Sequence, residues 1–402
     1  MPNYSGIWTL SQQFQAVGQG NWPSPPPQAI AVSSSGSPHI TAYLWTTSGF
    51  GTKFTDPATL PTGSGTDVAF TPAGNAVAVS HGTTPFITAY PWSASGFGTK
   101  FANPGTLPAA GGQAVNFSQA GDALAVAFTA DPNVAVYPWS SSGFGTKFAD
   151  PATLPSGQGY GVAFSPSGNA IAVGHQTSPY ITAYPFSGSG FGTKFANPAT
   201  LPGIQGSAVA FSPTGDAVAL ANGGFPYIDV YAWSISGFGA KFANPATLPP
   251  NEGIGVAFTP ASDALAVAHA SSPFITAYPW SGSGFGTKFA DPATLPTGIG
   301  NGVAFSPAGN AIAVAHNTSP FISAYPWSGS GFGTKFANPA TLPTGDGNGV
   351  AFSPAGNDIA VAHATSPFVS AYPWSGSGFG TKYANPATLP TGTGRGVAFG
   401  AI

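Results

Sequence analysis

Cysteine is absent from the 402 residues, so neither a disulfide nor a thiolate metal site can form, and the redox compartment is left open. Charge is scarce as well. Asp, Glu, Lys and Arg make up 5% of the chain, against about 25% in ordinary soluble proteins. The one arginine is Arg395, the one glutamate is Glu252, and the formal net charge is −3. With its few cations spread evenly along the chain, the protein has no basic stripe for a phosphate backbone, which excludes nucleic acid as a partner. No stretch approaches the roughly 18 apolar residues of a membrane-crossing helix, so insertion of that kind is excluded. The first residues, Met-Pro-Asn-Tyr-Ser-Gly, have neither the basic start nor the apolar run of a secretion signal.

What is present is a period. Gly-Phe-Gly begins at Gly49, Gly96, Gly143, Gly190, Gly237, Gly284, Gly331 and Gly378, always 47 residues after the last. Self-similarity of this length marks an array of one supersecondary unit. Apolar residues form 42% of the chain and aromatics 13%, enough for a large core despite 56 Gly and 42 Pro. All eight lysines, from Lys53 to Lys382, occupy one repeat position. On an outer strand they would discourage pairing with another chain.

One unit shows the pattern. Val303-Ala304-Phe305 reads as a short strand A, ended by the turn Ser306-Pro307-Ala308-Gly309-Asn310. Ala311 to His316 reads as strand B, Phe321 to Trp327 as strand C, and Phe332 to Phe336 as strand D. An extended connector, Ala337 to Pro343, leads to the next A. Four short strands in an antiparallel meander, repeated every 47 residues, predict an all-β propeller. Strand B occurs eight times, from Ala29 to Asp358, but the first copy lacks a good A strand while the chain ends on a spare, Gly396-Val397-Ala398-Phe399. Pairing that last strand into the first blade removes two open edges and gives an eight-bladed ring of four-stranded antiparallel blades. Strand C carries Pro91, Pro138, Pro185, Pro279, Pro326 and Pro373, which predicts a bulge there and a loosely attached D.

The unit resembles the blades of WD40 and YVTN-type propellers. Val350-Ala351-Phe352-Ser353-Pro354-Ala355-Gly356-Asn357 is similar to their inner strand and turn, and Trp374 sits where the WD dipeptide places its Trp. Ser375 stands in place of that dipeptide's Asp, and no Gly-His pair precedes strand A. The resemblance covers residues 20–402 and implies architecture. Residues 1–25 read as a separate arm, docking or plugging. Thr9-Leu10-Ser11-Gln12 has capping-box form, with Leu10, Phe14 and Val17 at helical spacing. From Ser5 to Pro23 the arm resembles a short element of tailed-bacteriophage structural proteins. That resemblance implies docking onto other virion proteins through Trp8, Leu10, Phe14, Val17 and Trp22.

Chemistry-bearing residues are few. His81, His175, His269, His316 and His363 end strand B in five copies, while Ser34, Phe128 and Asn222 end it in the others. The B–C turns and D–A connections share one face, so these histidines are expected on its rim, where imidazoles could contact a ligand or bond structurally to a neighbour. Each comes from a different blade without a second ligand at metal spacing, so no metal or cofactor is expected. The strongest departures from the repeat on that face, Asp131, Asn222, Glu252, Asp346 and Arg395, join them as candidate binding residues, because loops on a rigid scaffold carry binding. No paired carboxylates, nucleophile elbow or P-loop appears, so no catalytic residue is assigned. The expectation is a non-enzymatic virion structural or adhesion protein of a tailed phage. The alternative is a free carbohydrate-binding propeller or extracellular scaffold, with a host surface glycan as a candidate ligand of either.

Overall fold

In the computed structural model, residues 28–401 are described. The expected helix and docking residues, Trp8, Leu10, Phe14, Val17 and Trp22, lie outside them. The described chain forms eight antiparallel sheets of four strands. In blade 7 these are β24 (Gly300–Phe305), β25 (Ala311–His316), β26 (Ile322–Ser328) and β27 (Gly331–Phe332), the A to D strands of the unit. Inner strands of successive blades adjoin one another around the ring. The ring closes as the unequal chain ends require. β32 (Gly394–Ala401) pairs antiparallel with β1 (Gln28–Ser34), placing Ile30 opposite Phe399 and Val32 opposite Val397. No sheet edge is left at either end of the array.

Every blade has one face of large side chains and one of small ones. Val68, Val77, Val79, Tyr90 and Trp92 of blade 2 pack on Ala29, Ala31, Ile40 and Ala42 of blade 1. The other face of blade 2, Ala76, Ala78, Ile87 and Ala89, receives Val115, Leu124, Val126, Tyr137 and Trp139 of blade 3. Alternation of Ala with Val, Ile or Leu along strand B therefore makes large meet small at each joint, which fits wedge-shaped blades into a ring. Each fully buried Val or Leu contributes about 1.5–3 kcal/mol. The strand-C tyrosine is fully buried and donates to the connector of the blade before it, as Tyr90 Oη does to Thr59 O at 2.8 Å. Trp92 is nearly enclosed, edge-on to Phe54, Phe70 and Phe97. These aromatic faces are packing surfaces, closed to a stacking ligand.

Proline acts on one side of its strand only. Pro326 keeps its place opposite Ala311 in an unbroken B–C ladder, so the expected bulge is absent there. The loss falls on D, whose ladder is cut to Trp327 with Phe332 and Ser328 with Gly331, followed by single bonds from Gly333 N to Pro326 O and from Phe336 N to Ala324 O. Blades 1 and 5 carry Leu44 and Ala232 instead of proline, and there D runs for five residues, Gly49–Lys53 and Gly237–Lys241. The length of D tracks one backbone N–H.

The joint that closes the ring is marked. Seven copies begin strand B with Ala, but blade 8 has Asp358, and seven copies have Phe where blade 8 has Tyr383. The two departures answer each other. Tyr383 Oη donates to Asp358 Oδ1 at 2.6 Å, and Trp45 Nε1 of blade 1 donates to Oδ2 at 2.9 Å. A nearly buried carboxylate is thereby satisfied between the first and last blades.

Candidate functional site

The inner strands start earlier than the apolar pattern suggests because each contains a β-bulge. In blade 2, Gly65 pairs with His81 and Asp67 with Ser80, which leaves Thr66 as the extra residue. A bulge re-aims its side chain. Here it does so at the mouth of the central channel, on the face of the B–C turns. The glycine before it is constant because the chain passes against the preceding blade. A Cβ on Gly112 would lie 2.8 Å from the Phe86 carbonyl oxygen. The residues flanking that glycine vary more than any others in the repeat: Ser64, Gly111, Gln158, Gln205, Glu252, Ile299, Asp346 and Thr393 before it, and Thr66, Gln113, Tyr160, Ser207, Ile254, Asn301, Asn348 and Arg395 after it. A constant scaffold thus presents a non-repeating ring of polar groups.

Some of this ring is tied down. Thr66 Oγ1 donates to Gly112 O at 2.7 Å, Asn301 Nδ2 to Gly347 O at 2.9 Å, and Asn348 Nδ2 to Gly394 O at 2.8 Å, each linking one inner strand to the next. Arg395, at the same position in β32, is exposed and joins none of the ion pairs among the described residues.

One step deeper, the wall is Ala or Gly in seven blades, and in blade 2 it is Asp67. Its Oδ1 accepts from Val68 N at 2.9 Å and its Oδ2 from Val115 N of the next blade at 3.1 Å. Burial pushes the carboxyl up to about 6, against the lowering pull of those two N–H groups. On its other side is Gly396, where a Cβ would stand 3.3 Å from Asp67 Oδ1. Asp67 and Arg395 therefore belong to neighbouring inner strands, one level apart. Among the described residues no three His, Asp or Glu side chains gather as a metal ligand set.

The structure brings Glu252, Asp346 and Arg395 to this mouth. Ala270 N donates to Glu252 O, and Ala364 N to Asp346 O, which fixes both connectors beside B–C turns. Asp131 is exposed in a turn, accepting from Asn133 Nδ2 at 2.7 Å. Asn222 is enclosed and donates to the buried Asp229 at 2.8 Å, whose other oxygen meets Lys241 at 2.6 Å. Burial raises the Asp229 carboxyl and Lys241 opposes it.

The histidines are not on a rim. His81, His175, His269, His316 and His363 are each 0% exposed, because the bulged inner strand extends three residues further and lays its glycine beside the ring, as Gly300 beside His316. Each Nε2 bonds a hydroxyl seven residues on, His81 to Thr88 at 2.9 Å and His316 to Ser323 at 3.1 Å. Burial lowers all five to about 4, so they are neutral at pH 7.

With this geometry in place, comparison with solved structures gives three full-length relatives in shape. A candidate 6-phosphogluconolactonase of Bacteroides fragilis superposes with a TM-score of 0.60 at 12% identity, covering 94% of this chain and 99% of its own. The periplasmic gluconolactonase of Pseudomonas aeruginosa gives 0.60 at 15%, with the same coverage. A Lactobacillus plantarum protein gives 0.60 at 14%, covering 93% and 99%. The likeness is one of fold. No protein-family model and no curated sequence matches the chain. The expectation of a non-enzymatic phage virion or adhesion protein is corrected by these findings. The similar rings whose function is named are enzymes of lactone chemistry, and the phage resemblance rested on residues 5–23, outside the described chain. Asp67 is not among the candidate residues that the repeat pattern singles out. The available signal was a carboxylate at a position otherwise restricted to Ala and Gly.

Proposed function

We propose that this propeller hydrolyses a sugar-acid lactone at the channel mouth on the B–C turn face. The observation that carries this is Asp67, an ionisable group at its level of the wall, with a carboxyl near 6 and, on the adjoining strand, an arginine that joins no ion pair among the described residues. A general base works best with a pKa near the operating pH. Asp67 takes a proton from water as the oxygen attacks the lactone carbonyl. It returns that proton to the ring oxygen as the carbon–oxygen bond breaks, releasing the open hydroxy acid. Arg395 pairs with the developing oxyanion or with a phosphate or carboxylate on the substrate. Gln113, Gln158, Gln205 and Ser207 offer hydrogen bonds to sugar hydroxyls. The names of two similar rings, a gluconolactonase and a candidate 6-phosphogluconolactonase, support this substrate class.

The test is acid release from δ-gluconolactone and its 6-phosphate in a pH-stat, corrected for spontaneous opening. The wild-type rate should rise with pH through about 6. Asp67→Asn should lower kcat about 100-fold or more, and Arg395→Gln should raise KM more for the phosphorylated lactone. A wild-type rate equal to buffer with both lactones rejects the proposal.

A further inference from the structure

The opposite end of the channel holds a recess that the proposed reaction does not use. It is a half-open recess of about 500 Å³ along the inner strands of blades 3, 4 and 5, within the size range of small-molecule sites. Phe117, Phe164 and Phe211 form its apolar wall, with Pro166 and Pro213 at the lip. Two further lining residues, Asn116 and Gln119, break the repeat. Seven blades have Ala at the position of Asn116, and the six other A–B turns have Pro at the position of Gln119. On a face that otherwise repeats closely, both departures fall in one blade and line one cavity.

Neither departure serves the turn. Its bonds run through Ser118 and Asp122: Ser118 Oγ donates to Asp122 Oδ1 at 2.6 Å and accepts from Asp122 N and Ala123 N. The amides of Asn116 and Gln119 are left without a partner among the described residues. Asn116 is half-buried and Gln119 exposed, so water meets their donors and acceptors until a ligand in the recess takes its place. No charged side chain lines the recess.

We propose that this recess binds a neutral, flat aromatic ligand carrying an amide or lactam edge. The ring lies against Phe164 and its neighbours, and the edge exchanges hydrogen bonds with Asn116 and Gln119. A carboxylate in place of the amide would be desolvated with no cation to meet it.

Benzamide and nicotinamide, with benzoate as the charged counterpart, are the probes for titration against the full chain by saturation-transfer NMR and calorimetry. Both amides should bind and benzoate should not. The variant Asn116→Ala with Gln119→Pro restores residues that other blades carry, so it retains the fold. It should weaken amide binding about tenfold, the loss of two modest hydrogen bonds. Asp67→Asn should leave binding unchanged. Absence of amide binding to the wild type, equal affinity in the double variant, or loss of binding in Asp67→Asn would each overturn the proposal.

Discussion

Lowering the pH from 7 to 4 loads five enclosed histidines with a choice between charge and burial. Each imidazole has its pKa lowered from 6.5 to about 4 in the folded ring, with desolvation as the main cause. Below pH 6.5 the unfolded chain takes up protons that the folded chain refuses, so stability falls as the pH drops from about 6.5 to about 4. Below about 4 both states are protonated and the loss levels off. A shift of this size is worth about 3 kcal/mol per histidine, and five together match the ~5–15 kcal/mol stability of a typical domain. Asp67 acts in the opposite sense. Its carboxyl is raised from 3.8 to about 6, so the folded ring gains a proton first and is favoured as the pH falls through that window. Asp229, raised by burial as well, acts in the same sense, and two such groups do not offset five. Guanidinium midpoints measured from pH 7 to 4.5 should fall steeply. Blade 3 supplies the control, since Phe128 and Ala135 occupy the histidine and hydroxyl positions there and are buried. His316→Phe with Ser323→Ala should fold and remove about a fifth of the pH dependence. A midpoint that stays flat down to pH 4.5, or imidazole NMR signals titrating near 6.5, would refute the reasoning.

Deleting residues 394–402 removes the inner strand of blade 1 and exposes the edge of β1. Loss of the half-buried Val397 and Phe399 alone should cost about 3 kcal/mol, and an unchanged melting temperature would show that closure does not depend on this strand. Pro326→Leu, copying Leu44 of blade 1, should lengthen β27 toward Lys335 by supplying the N–H that Leu44 has, while Phe336 N keeps its bond to Ala324 O. The amide restored at position 326 should exchange on the order of tenfold slower than an unbonded one. Exchange at that amide as fast as in open chain would mean that something other than the missing N–H limits strand D.

By itself the sequence determined the period, the blade count, the order of the four strands and the closing partner. All of these follow from short-range pattern and from the unequal chain ends, with strand A missing before Gln28 and spare after Arg395. It also exposed the copies that break the repeat, but not what each break is for. Glu252, Asp346 and Arg395 meet at one mouth because eight inner strands converge there, although 143 positions separate the first from the last of them. The histidines look peripheral at strand ends, yet a bulge carries the neighbouring strand past them and closes them from water. Asp358 gains Tyr383 and Trp45 only once the last blade meets the first. Asp67 acquires its raised carboxyl from burial in the closed wall, against the lowering pull of the bond from Val115 N of the next blade. Local pattern fixes strands because a strand answers to its own alternation of side chains. Burial, charge state and company are properties of the closed ring, and they exist only after its joints are made.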